Sequence, residues 1–178
     1  QKDLPDLAST IHQAALSPYS SIEMLNEICD ISRYYNFSGL CTNLVQLPAA
    51  RKRLGIPGKT KLIAVVGFPF GFIPPKNKQA EAELAAEQGA EELDVVPNYF
   101  ALIQGRQEYF AEEISNICQI GLPVRVILNI ENLSRETLSL AIDASIDSGI
   151  IGIQTGNGFG REVLPSDINQ ISKLARGR

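Results

Sequence analysis

The sequence predicts an α/β fold built from six βα units, and three observations carry that prediction. Short apolar, β-rich runs recur with centres roughly 25 to 31 residues apart, about the length of one βα repeat. The runs lack polar alternation, as strands covered on both faces of a parallel sheet do. Helical patterns with legible ends fill the intervals between them.

The elements follow in chain order. A first strand is placed around 9–16, and Ser20 with Glu23 forms a capping box ahead of Met24, Leu25, Ile28 and Ile31, which share one helical face. A strand over 38–41 leads to a weaker helix over 44–54, interrupted by Pro48. The strand at 62–68 precedes a helix over 76–88 that is rich in Ala, Glu and Gln and stopped by Gly89. After a strand at 93–96, the 108–120 helix carries Phe110, Ile114 and Ile117 at i, i+4 and i+7, and Gly121 follows it. A strand at 124–130 leads to a helix capped by Ser134, with Leu138, Ala141, Ile142, Ser145 and Ile146 inside and Gly149 beyond its end. The last strand is 150–153, and Pro165-Ser166-Asp167 opens a final helix carrying Ile168, Ile171 and Leu174. Six such units fit an open doubly wound sheet or part of an eight-unit barrel. No GxGxxG, GxxxxGK[ST] or GxSxG motif is present to choose between them.

Composition narrows the function classes. A chain of 178 residues suits one domain, so 1–178 is expected to be single, with no internal linker or low-complexity tract. Sixteen basic against 20 acidic residues give a net charge of −4, too negative to draw in nucleic acid or an anionic membrane. Hydrophobic content of 44% with 20% charged residues supports a real core. No apolar run reaches the roughly 18 residues of a membrane span, and residues 1–5 carry no signal-peptide pattern, so a cytoplasmic protein is expected. Cys29, Cys41 and Cys118 are odd in number and far apart, and they read as reduced thiols buried as small hydrophobes. The lone His12 cannot supply a multi-histidine metal site, and neither a metal nor a cofactor is expected.

Polar residues inside otherwise apolar strands are costly to bury without partners. Four stand out: Asp94, Arg125 and Asn129 on the fourth and fifth strands, and Gln154 at the end of the sixth. Neighbouring strands lie about 4.8 Å apart, so Asp94, Arg125 and Gln154 can meet, as a catalytic group or as a buried structural ion pair bonded to the amide. Gly67-Phe68-Pro69-Phe70-Gly71 and Thr155-Gly156-Asn157-Gly158-Phe159-Gly160 follow strands and could present backbone N–H groups to a phosphate, or could simply be tight turns.

Taken together, Leu40-Cys41-Thr42-Asn43, Val65-Val66-Gly67-Phe68-Pro69-Phe70-Gly71, Lys78-Gln79-Ala80-Glu81, Gly89-Ala90-Glu91-Glu92-Leu93-Asp94-Val95-Val96 and Thr155-Gly156-Asn157-Gly158-Phe159 make the chain resemble the deoxyribose-phosphate aldolase family along almost its whole length. The resemblance implies a (β/α)8 TIM-type barrel of which this chain supplies strands one to six. The family cleaves 2-deoxyribose 5-phosphate to glyceraldehyde 3-phosphate and acetaldehyde through a Schiff base. The nucleophile is a strand-six lysine, aided by an aspartate on strand four and lysines on strands five and seven.

Asp94 matches that aspartate, but Gln154 stands at the Schiff-base position and Arg125 at the strand-five lysine. An amide nitrogen has its lone pair delocalised into the carbonyl, and a guanidinium stays protonated, so neither attacks a carbonyl. The family's Glu-Thr pair reads Asn129-Ile130 here, and its Ile-Asp-His-Thr pattern reads Ile11-His12-Gln13-Ala14. Lys2, Lys52, Lys59, Lys61, Lys76, Lys78 and Lys173 sit where an amine near pKa 10.4 stays protonated, and none reads as a nucleophile. Strands seven and eight would follow Arg178, so the expectation is a segment missing from the sequence, or else a second chain closing the gap.

The expected function is therefore an aldolase-like protein without Schiff-base chemistry, acting as a protein-interaction or ligand-binding module. Thr155, Gly156, Asn157, Gly158 and Asn129 are the candidate ligand contacts. The alternative is a carbon–carbon lyase on 2-deoxyribose 5-phosphate or a related phosphorylated sugar. The expected partners are another protein or a second copy of the chain, and a phosphorylated small molecule.

Overall fold

The computed structural model describes residues 6–178; the reading of residues 1–5, Lys2 included, falls outside them. Six strands form one sheet: β1 (His12–Ala15), β2 (Gly39–Thr42), β3 (Lys61–Val66), β4 (Glu92–Val95), β5 (Val124–Ile127) and β6 (Gly152–Gln154). Their order in the sheet is their order in the chain. The pairs β1 with β2, β2 with β3, β4 with β5, and β5 with β6 are parallel. A doubly wound sheet reverses direction at a switch point, and this order never reverses, so the fold is of the (β/α) barrel type. Among the described residues six α-helices connect the strands, α1 (Ile22–Tyr34), α2 (Leu47–Leu54), α3 (Pro75–Glu87), α4 (Tyr99–Ile103), α5 (Gln107–Cys118) and α6 (Arg135–Asp147), and α7 (Pro165–Ala175) follows β6.

By contact density the chain divides into two compact units, one reaching to Val65 and including Leu84–Glu92, the other comprising Val66–Glu83 and Leu93–Arg178. In the first, β2 is buried along its whole length. Ser21, not Ser20, caps α1 by accepting from the Met24 amide at 3.2 Å. Ser20 instead accepts from Gln46 Nε2 at 2.7 Å. Pro48 begins α2 rather than interrupting it, since its missing N–H costs nothing in a first turn.

In the second unit, α4, α5 and α6 pack on β5 through Leu102, Phe110, Ile114, Val126, Leu128, Leu138 and Ile142. Each such side chain, buried, contributes about 1.5–3 kcal/mol by transfer from water. Ser134 caps α6 as the sequence indicates, accepting from the Thr137 amide at 3.1 Å. Several boundaries differ from expectation, beginning with residues 8–10, which form a 3-10 turn ahead of β1 rather than part of the first strand. β3 ends at Val66 because Gly67 turns the chain at φ +67°. β5 ends at Ile127, and Asn129 lies off the strand, before a 3-10 turn over Ile130–Asn132. The short α4 was not legible; Asn98 starts it by accepting from the Ala101 amide at 3.0 Å.

Cys29 and Cys41 are buried, whereas Cys118 is only half-buried. Burial pushes the Cys29 thiol up to about 11, away from reactivity at neutral pH. Among the described residues no helix is long and apolar enough to cross a membrane. None of their acidic, His and Cys side chains cluster in a way that could hold a metal ion.

Candidate functional site

The second unit brings together three of the polar residues that the sequence singles out. Register places Asp94 directly opposite Arg125, and Arg125 opposite Gly152, with Gln154 two residues further along β6. Side chains two apart on a strand share a face, so all three reach one spot. Arg125 Nη1 stands 3.1 Å from Asp94 Oδ1, and Gln154 Nε2 donates to Asp94 Oδ2. Asp94 is 1% exposed, so its carboxylate is a buried charge balanced by a guanidinium and an amide. Both of its oxygens are thus engaged by groups that donate hydrogen bonds and cannot attack a carbonyl.

The remaining predicted residues form a neighbouring cluster. Asn129 and residues 155–158 line a cavity of about 320 Å³, which Asp94, Arg125 and Gln154 do not line. The Leu128 amide donates to the Gln154 carbonyl at 2.8 Å, which fixes the cluster against the end of β6. Two amides of the glycine-rich loop are already engaged within the protein. Asn157 N donates to Asn129 Oδ1, and Phe159 N donates to Asn157 Oδ1, each at 3.0 Å. Asn157 Nδ2 in turn donates to the Pro69 carbonyl at 2.8 Å, tying this loop to the one after β3. Asn129 thus acts first as an organiser of the loop.

Several residues at the site were not found by sequence reasoning. Tyr99 donates its hydroxyl hydrogen to the Ile127 carbonyl and accepts from the Asn129 amide at 3.0 Å, bracing the end of β5. Glu131 accepts from the Arg161 amide at 3.0 Å, and the Arg161 guanidinium clasps Asp167 at 2.6 and 2.9 Å. Glu131 and Arg161 both line the 320 Å³ cavity. Thirty residues separate these two, and no local spacing rule links them.

The loops after β3 and β4 are held by carboxylates from the helices. Glu81 accepts from the Gly67 amide at 2.7 Å, and Glu113 accepts from the Asn98 amide at 2.9 Å. Glu113 also meets Lys78, with Nζ to Oε1 at 2.9 Å and both side chains enclosed. Lys78 therefore departs from the expectation of an ordinary lysine. Burial pulls its amine below the usual lysine range and pushes the Glu113 carboxyl above the usual carboxylate range, each against the pull of its partner. Gln13, on β1 in the first unit, accepts from Ser32 Oγ at 2.8 Å and so braces α1.

No protein-family model matches the chain. Individual proteins do. It is 33% identical to a deoxyribose-phosphate aldolase of Microcystis aeruginosa over 97% of this chain and 77% of that protein. It is 31% identical to that of Thermosynechococcus vestitus over 100% of this chain and 82% of the relative. Among solved structures, an aldolase designated QR15 superposes with a TM-score of 0.92 at 28% identity, covering 98% of this chain and 79% of that one. The tetrameric deoxyribose phosphate aldolase of Aeropyrum pernix matches at 0.84 and 30% identity, covering 96% and 73%. Barrel topology, motif positions and this similarity along nearly the whole length agree: the chain belongs to the deoxyribose-phosphate aldolase family.

Proposed function

We propose that this family member binds a phosphorylated sugar or a related carbonyl compound at the ends of β4–β6 without forming a Schiff base at position 154. The supporting observation is the Gln154 amide on Asp94, with Arg125 on the other carboxylate oxygen. Carbonyl attack needs a neutral amine there, and this arrangement offers an amide and a permanently charged guanidinium. In this reading Asp94, Arg125 and Gln154 are inherited catalytic positions turned into a charge-balanced wall, while Asn129 and Thr155, Gly156, Asn157 and Gly158 provide the ligand contacts. The tetrameric state of the Aeropyrum pernix relative, together with exposed Phe70, Phe72, Phe100 and Phe159, supports self-association of this chain as well.

A second reading is a carbon–carbon lyase acting on 2-deoxyribose 5-phosphate or a related phosphorylated sugar. The comparisons weigh toward it, since the relatives cited bear the aldolase name; the atoms at position 154 weigh toward the first. One structural feature favours the lyase: Lys78 is a buried amine with a lowered pKa, the condition under which lysines become nucleophiles. Its side chain is fully enclosed and paired with Glu113, so a carbonyl reaches it only if the surrounding structure opens.

Reductive trapping separates the two. The protein is incubated with acetaldehyde or deoxyribose 5-phosphate and borohydride, its intact mass is measured, and any adduct is mapped by peptide. Unchanged mass together with saturable ligand binding is the expected result. An adduct on Lys78 or any other lysine, accompanied by turnover, overturns the non-Schiff-base reading.

A further inference from the structure

A second cavity, of about 330 Å³, lies in the first unit where α1 and α2 end. Arg33, Arg51 and Lys59 line it together with Asn36, Gly58 and Thr60, and its lining includes no carboxylate. On a chain of net charge −4 this local excess of cations is unusual.

Existing partners do not account for it. Arg51 spends one nitrogen on Glu91 at 3.0 Å, while its Nε and Nη2 are buried with no hydrogen-bond partner. The other oxygen of Glu91 is taken by Lys61 at 3.0 Å, so that single carboxylate already faces two cations. Arg33 donates to the Arg53 carbonyl at 3.2 Å, and Arg53 is itself neutralised by Asp30. Lys59 has no ion-pair partner among the described residues. Arg33 and Arg51 lie in the last turns of α1 and α2, whose partial negative ends, about half a charge each, offset only part of the excess. Roughly two positive charges remain around the cavity.

We infer that this cavity binds a small dianion of the phosphate class, independently of the site at the strand ends. Guanidinium and ammonium groups together suit a tetrahedral oxyanion, and about 330 Å³ falls at the small end of ligand pockets, enough for phosphate with a short organic group. The bound anion would bridge α1, α2 and the 55–60 loop, coupling its presence to the stability of the first unit.

The test is calorimetric titration of the whole chain with inorganic phosphate and, separately, with deoxyribose 5-phosphate. It is repeated on the Arg33→Ala/Lys59→Ala double variant, whose two altered side chains are exposed, and on Asn157→Ala, alone and added to the double variant, which alters the loops after β6 and β3 in the second unit. The expected result is saturable phosphate binding weakened about tenfold or more in the double variant and unchanged in Asn157→Ala. Tighter binding of the sugar phosphate at this same site identifies an organic phosphate as the occupant, and equal binding identifies the free anion. Absence of saturable phosphate binding, or binding that survives in the double variant, overturns the inference. Failure of the strand-end reading would instead appear as a double variant that no longer binds the sugar phosphate, or that binds it equally well once Asn157→Ala is added, so the two outcomes are distinguishable.

Discussion

At Asp94 a single carboxylate, 1% exposed, is held by one guanidinium and one amide, and the balance is unforgiving. Replacing Arg125 by Ala leaves the Asp94 charge buried beside the Gln154 amide. Breaking a buried pair from one side costs about 3 kcal/mol, and urea unfolding is expected to show a loss of that order. A loss below about 1 kcal/mol would mean that water reaches Asp94 and that the pair is effectively a surface one. Gly67 is constrained differently. Its φ of +67° suits glycine, and a Cβ there would sit 2.9 Å from Lys78 Cε and 3.2 Å from the Val96 carbonyl oxygen. Gly67→Ala is expected to cost about 1–3 kcal/mol in the same assay, through backbone strain and displacement of the Lys78 stem.

At the scale of elements, α7 is anchored by charge as well as by packing. Asp167 accepts from the Leu164 amide at 2.8 Å and takes the Arg161 guanidinium at its other contacts. The hydrogen bonds from Arg161, and then the Leu164 amide, hold its carboxyl down to about 2, from an ordinary value of 3.8. A depressed folded-state value means the stabilisation is fully present above the unfolded value and is lost as pH falls through the folded one. The unfolding midpoint of the protein is therefore expected to fall between about pH 4 and pH 2 by more than that of Asp167→Asn. Parallel pH curves for the two would remove Asp167 from the account.

Asp167 also shows what sequence reasoning reaches. Pro165-Ser166-Asp167 announces a helix start, because N-terminal turn chemistry is local, and the same holds for Ser134. The partner Arg161 lies upstream in an irregular loop, beyond any periodic rule. Capping of α1 slipped by one residue because two adjacent serines satisfy the same pattern. The five-residue α4 escaped notice because one turn and a half leaves no periodicity to read. At the site, Asp94, Arg125 and Gln154 were legible as polar residues in apolar runs. Tyr99 and Glu131 were not, since their partners are set by where loops return rather than by spacing.

For the whole molecule, the beat of apolar runs was enough for six βα units but not for their arrangement, because strand order is a tertiary property that no single run carries. The sequential order of the sheet supplies what periodicity could not. It also makes the strands unequal. β5 lies between β4 and β6, with Val124, Val126 and Ile127 buried. β6 ends the sheet order, and all three of its residues are only half-buried. Local stability follows burial and protected backbone bonding, so native-state hydrogen exchange should open β6 well before β5. Peptides spanning 152–154 are expected to exchange at low opening free energy, while those spanning 124–128 approach the global unfolding value. Equal protection of the two would instead show that the outer edge of β6 is covered, by more chain or by another copy. Repeating the measurement across a range of protein concentrations decides between these, since cover by a second copy fades on dilution and cover by the same chain does not.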